Sequence, residues 1–177
     1  METQKITSAV FFRSLTVIHA AMIVAPVILT VVMIYLNGRV DGGAAGANST
    51  MPLLTAVSVV GLSAIAMSFV LFNTLVAKAV EKPTLSEKLR GYQSASIVRF
   101  ALLEAPAIFA TVAFYLTGTY WFLAASAIVV ALLVTVAPRR QRVIESLRLS
   151  HEETQLLDDP TAIVAEWAVH DNTTSSL

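Results

Sequence analysis

Cysteine is absent from the 177 residues, which excludes disulfides, thiolate metal sites, iron–sulfur ligation and thiol catalysis. An excess of either charge is lacking too: twelve Lys and Arg balance twelve Asp and Glu, so no global field draws the chain to nucleic acid. Charged residues of any kind are scarce, at 14%. Enzyme signatures are missing as well, with no P-loop, G-x-S-x-G or H-E-x-x-H. No catalytic residue, cofactor or metal is expected, and His151 beside Glu152 and Glu153 reads as a solvated helix start. In place of charge stand apolar residues, 56% of the chain, with a mean hydropathy of +0.72. That is the composition of a membrane protein.

Crossing about 30 Å of hydrocarbon takes about 20 helical residues, and four apolar runs approach or exceed that length, at about 14–36, 52–77, 97–116 and 120–137. Only a helix satisfies its own backbone within lipid. The first run exceeds the roughly 7 to 15 apolar residues of a signal peptide and reads as a retained helix. The expected fold is all-α: a polytopic four-helix transmembrane bundle over residues 1–137, followed by a cytoplasmic amphipathic helical tail over 138–177. Eleven of the twelve basic residues fall on one side of such a four-pass chain, Arg39 being the exception. Basic loops stay in the cytoplasm, so both termini are expected there, with Arg99, Arg139, Arg140 and Arg142 at the cytoplasmic interface. Tyr35, Tyr115, Tyr120 and Trp121 would form the outer aromatic belt, with Phe11 and Phe12 near the inner one.

The connections differ in kind. The stretch 37–50 is rich in Gly, Ala, Ser and Asn, the makings of a flexible outer loop. Thr117-Gly118-Thr119 leaves room only for a tight antiparallel hairpin. Pro83-Thr84 is a break, after which the third helix should start near Ser86, ahead of the membrane. In the tail, Val143, Ile144 and Leu147 fall on one face, which suits a helix lying along the membrane surface or docking a partner. Ser150 and Glu153 have the spacing of a capping box. After Pro160, residues 161–167 offer one more apolar turn, and 170–177 are expected to be disordered.

Ionisable groups within the apolar runs are the informative ones, because each costs at least about 2.5 kcal/mol in hydrocarbon. There are two, His19 and Glu104. Counted from the basic boundary, His19, Glu104 and Asn73 all lie roughly 8 Å deep at 1.5 Å per residue, and Thr74 and Thr135 fall in the same layer. The expectation is one polar layer fed by all four helices, with Glu104 facing inward onto His19 or Asn73. Such a layer serves either as interhelical glue or as a proton or cation site in which Glu104 titrates. Pro26 and Pro106 permit bends. Ser58, Gly61, Ser63, Ala64, Ala66 and Ser68 of the second helix permit close helix approach.

Leu85-Ser86-Glu87-Lys88-Leu89 with Tyr92, then Ala101-Leu102-Leu103-Glu104-Ala105-Pro106-Ala107 and Leu116-Thr117-Gly118, resemble a family of small four-helix bacterial inner-membrane proteins known only as hypothetical. Ile18-His19-Ala20-Ala21-Met22 and the tail sequence 147–153 fit as well. The resemblance implies topology and a bacterial inner-membrane location without an activity. A second, local resemblance joins helices two and three to the hairpin of the rotor-ring c subunit of ATP synthases, whose second helix bears an ion-carrying carboxylate. This chain departs from it in having one glycine in helix two, no Arg-Gln-Pro loop, two further helices and a tail. The function expected from the sequence is a structural or accessory membrane subunit whose partners are the lipid bilayer and either a second copy or a membrane complex. The alternative is a proton- or cation-coupled transport component using Glu104.

Overall fold

Helix starts and stops in this chain follow local chemistry. In the computed structural model, which describes residues 3–38 and 50–168, Thr7 accepts from the Val10 amide and opens α1 (Ser8–Asn37). The second helix, α2, spans Thr50–Val80. Lys82 closes a turn onto the Ala79 carbonyl, Pro83 interrupts, and Thr84 caps α3 (Leu85–Thr117) by accepting from the Glu87 amide. Gly118 ends α3 at φ 68°, a left-handed conformation that glycine adopts without strain. Next come α4 (Trp121–Thr135), α5 (Arg140–Leu147) and α6 (His151–Asp158). The capping box expected at Ser150 and Glu153 is present.

Three helices, α1, α2 and α3, are long and apolar enough to cross a membrane. A fourth span arises if α4 and α5 are taken together, although the chain bends by 74° between them. The bend falls at Pro138, whose ring disfavours helix in the residue before it. The long helices overrun the apolar stretches that announce them. α1 starts at Ser8, α2 continues to Val80 and α3 begins at Leu85, because their ends outside the apolar runs are packed against the tail.

The described residues form an all-helical architecture, as expected, with one short strand pair added. β1 (Thr3–Thr7) pairs antiparallel with β2 (Ile163–Ala168), placing Lys5 opposite Glu166. This corrects the expectation of helix up to about 167. The expected outer loop, from residue 39 to 49, and the expected disorder at 170–177 lie outside the described residues.

α3 is the central element, with α1, α2 and α4 packed around it. Ala95, Ala107 and Ala113 on α3 are wholly buried and let the neighbours come close. Of the small residues on α2, Gly61 and Ser68 face this contact, while Ser58, Ser63 and Ala66 are exposed. At the terminal end, Phe11, Leu15, Leu89, Tyr92, Val143, Leu147, Leu157 and Val164 form one apolar core. The amphipathic face of α5 is therefore buried in the chain's own core and not turned to a lipid surface. The free amides at the start of α1 are satisfied by the tail too: Ser8 and Ala9 donate to the carbonyls of Ala162 (3.1 Å) and Pro160 (3.3 Å).

Candidate functional site

The polar layer expected from counting along the helices does not assemble. His19 is buried, its ring 4.7 Å from that of Phe100. Its Nε2 donates to the Leu133 carbonyl at 2.9 Å, the direction set by a carbonyl's inability to donate. The partner of His19 is thus the backbone of α4 and not Glu104. Glu104 shares a stripe of α3 with Phe100, Ile108 and Thr111, the stripe that meets α1. It is half-buried there and hydrogen-bonds no described residue. Asn73 is exposed, beside a groove lined by Phe72, Val76, Glu81 and Arg148. Thr74 and Thr135 are exposed and return their hydroxyls to their own helices, donating to Val70 (2.9 Å) and Leu132 (2.7 Å).

The polar junction that does join three helices lies farther along the bundle. Thr30 of α1 and Thr111 of α3 are 2.9 Å apart at their hydroxyls. Thr111 in turn meets Ser126 of α4 at 3.1 Å. Both hydroxyls also reach the Ala107 carbonyl, at 3.0 and 3.1 Å, so that their two protons are shared among the carbonyl and each other. Thr111 is fully buried and Ser126 nearly so. Nothing in an apolar run singles these residues out, because a hydroxyl there can always bond its own helix. The available signal was the placement of one hydroxyl at a similar distance from the outer end of three different runs.

The basic residues separate into two groups. Arg140 joins the terminal elements: Nη2 donates to Ser8 Oγ at 3.4 Å, Nη1 lies 3.4 Å from Asp158, and its guanidinium stands over the Phe12 ring. Ser8 Oγ donates on to the Leu157 carbonyl at 2.7 Å. Nearby, Lys88 pairs with Glu153 at 2.8 Å. Burial pushes the Glu153 carboxyl up, but the Lys88 ammonium and the hydrogen bonds from Ser150 outweigh it and hold the carboxyl below its usual range. Arg139 precedes α5 and is exposed.

Arg99 and Arg142 form the second group. The Arg99 guanidinium lies 4.6 and 4.7 Å from the ring centres of Phe69 and Phe72, and its buried Nε has no acceptor among the described residues. Arg142 donates from Nη1 to the Thr135 carbonyl at 2.8 Å. Both line one cavity of about 350 Å³, together with Ser96 and Ser146. Among the described residues, no group of His, Asp and Glu is placed to hold a metal ion. Compared with protein-family models, curated proteins and solved structures, the chain matches none.

Proposed function

We propose that the chain is a non-enzymatic structural or accessory subunit of a bacterial inner membrane, with both termini cytoplasmic, that associates with a second copy or with a membrane complex. The observation that carries this is the use made of the buried polar groups. Thr30, Thr111, Ser126 and His19 tie α1, α3 and α4 to one another, the work of interhelical glue. Placement in the membrane draws on the three or four apolar helices, and orientation on the eleven basic residues assigned to one side.

The absence of cysteine makes a clean test available. Single cysteines are introduced at exposed Ser58 or Ser63 and, as a control, at buried Ser68, and oxidative crosslinking is carried out in native membranes. Crosslinked species from the exposed positions alone are expected. Monomers at every position, with no higher species on native gels, would overturn the reading.

The carboxylate of Glu104, half-buried and bonded to no described residue, favours a second reading, a proton- or cation-coupled transport component. Proteoliposome flux separates the two. Flux that Glu104→Gln abolishes supports transport, and flux equal to that of empty vesicles supports the accessory role.

A further inference from the structure

Arg99 and Arg142 come from different helices and line the same cavity, and no carboxylate is among its described lining residues. Two half-buried cations at this end of the bundle pair with carboxylates, Lys88 with Glu153 and Arg140 with Asp158. Arg99 and Arg142 pair with no carboxylate among the described residues. Arg99 is half-buried, held from below by the two phenylalanine rings, with a buried Nε–H that no described residue accepts. Arg142 is exposed on the rim, one nitrogen anchored to the backbone of α4 and the rest of its fork bonded to no described residue. Two like charges meeting over one partly buried space call for an anion.

The donors identify which kind. Two guanidinium forks match the oxygens of a phosphate better than a spherical halide, and the hydroxyl of Ser146 adds a short donor in the same lining. The volume is that of a small-ligand site. We propose that Arg99 and Arg142 bind a phosphate-type oxyanion here, supplied by the headgroup of an anionic phospholipid. Position favours the lipid source: Arg99 stands at the end of an apolar run, and Phe69 and Val70 beside it on α2 are exposed large apolar side chains along which acyl chains can lie. That source rests on the membrane placement proposed above, while the oxyanion chemistry does not.

The test uses the full chain in neutral detergent, with melting temperature and native mass spectrometry as readouts. The probes are phosphatidylglycerol, phosphatidylcholine and inorganic phosphate. Phosphatidylglycerol is expected to raise the melting temperature and remain as a bound lipid, and phosphatidylcholine to do neither. Arg142→Gln should weaken the anionic lipid at least about tenfold, the loss expected for charge-assisted hydrogen bonds. Ser146→Glu, which supplies a carboxylate to the cavity from within, should leave the protein folded and no longer responsive to the lipid. If Arg99→Gln does not fold, these two variants decide the matter. Stabilisation by inorganic phosphate that competes with the lipid would assign the site to a soluble anion and overturn the lipid source alone. Should neither anion bind, should phosphatidylcholine match phosphatidylglycerol, or should Arg142→Gln bind as the wild type does, the site is overturned. A chain that fails to integrate into vesicles yet binds phosphate through Arg142 would remove the membrane placement and keep the site.

Discussion

Gly91 of α3 packs directly against Ala79 of α2, beyond the turn that joins the two helices. A Cβ added there would lie 2.5 Å from the Ala79 Cβ and 3.3 Å from its Cα, against about 3.5–4.0 Å for an unstrained carbon contact. Ala79 is itself buried and part of the terminal core, so it has nowhere to turn. The Cα is backbone, and relief requires the two helices to part by about 1 Å. Overpacking of this kind costs about 1–3 kcal/mol. Helix propensity acts in the other direction, since replacing an interior helical glycine by alanine stabilises by about 0.8–1 kcal/mol. A backbone obstacle puts the cost in the upper part of its range, so Gly91→Ala should destabilise by a net ~1–2 kcal/mol.

The sign separates close packing from an ordinary solvated glycine, and reversible unfolding in mixed micelles, followed by far-ultraviolet circular dichroism, measures it. Ala79→Gly removes the 2.5 Å contact but leaves the Cα at 3.3 Å. The pair should therefore be less destabilised than the sum of its singles, by about 1 kcal/mol. Stabilisation by Gly91→Ala, or strict additivity with Ala79→Gly, would refute the argument.

Other parts of the structure make further predictions. Thr111→Val keeps the shape but removes the hydroxyl common to Thr30, Ser126 and the Ala107 carbonyl; a loss of about 1–2 kcal/mol is expected in the same unfolding assay. Because the Glu153 carboxyl is held below its usual range, its contribution to stability is present above the ordinary glutamate value of about 4.3 and lost as pH falls through the lower folded-state value. Acid should thus expose α6 to hydrogen exchange, and Lys88→Met should weaken that dependence; superimposable acid profiles for the two proteins would contradict it. Ser150→Ala removes the accepting oxygen of the capping box, and should destabilise α6 by about 1 kcal/mol, seen as faster exchange in 151–158 with α3 unchanged.

Local punctuation was legible in the chain. The break at Pro83, the helix start beside Thr84, the tight hairpin at Gly118 and the capping box at Ser150 each depend on residues within one turn of each other. The β1–β2 pair was not. An apolar stretch as short as Ile163–Ala168 is compatible with a helical turn or a strand, and what decides between them is a partner at Thr3–Thr7, at the other end of the chain. The same limit applies to α5. Its amphipathic pattern announces an apolar face without saying whether lipid, a partner or the chain's own core will cover it, and here Phe11, Leu89 and Tyr92 belong to the core that does.

The polar layer failed for a related reason. Counting residues from a basic boundary gives depth along a helix, but two groups at one depth meet only if they also point at each other. With α3 central, its faces are kept apart: Arg99 looks to Phe69 and Phe72 of α2, while Phe100 and Thr111 look to α1. α1 and α2 pack chiefly on α3 and not on each other, and Asn73 is exposed while His19 is buried against Phe100. Glu104 follows one turn past Phe100, the ring beside His19, and His19 gives its Nε2 to the Leu133 carbonyl instead. The same geometry explains the cavity that does form, because Arg99 leaves the α2 face of α3 where the bend after α4 brings Arg142 back over it. Charge converges where the chain turns, and that turn is set by Pro138 and by the apolar face of α5, neither of which carries a charge.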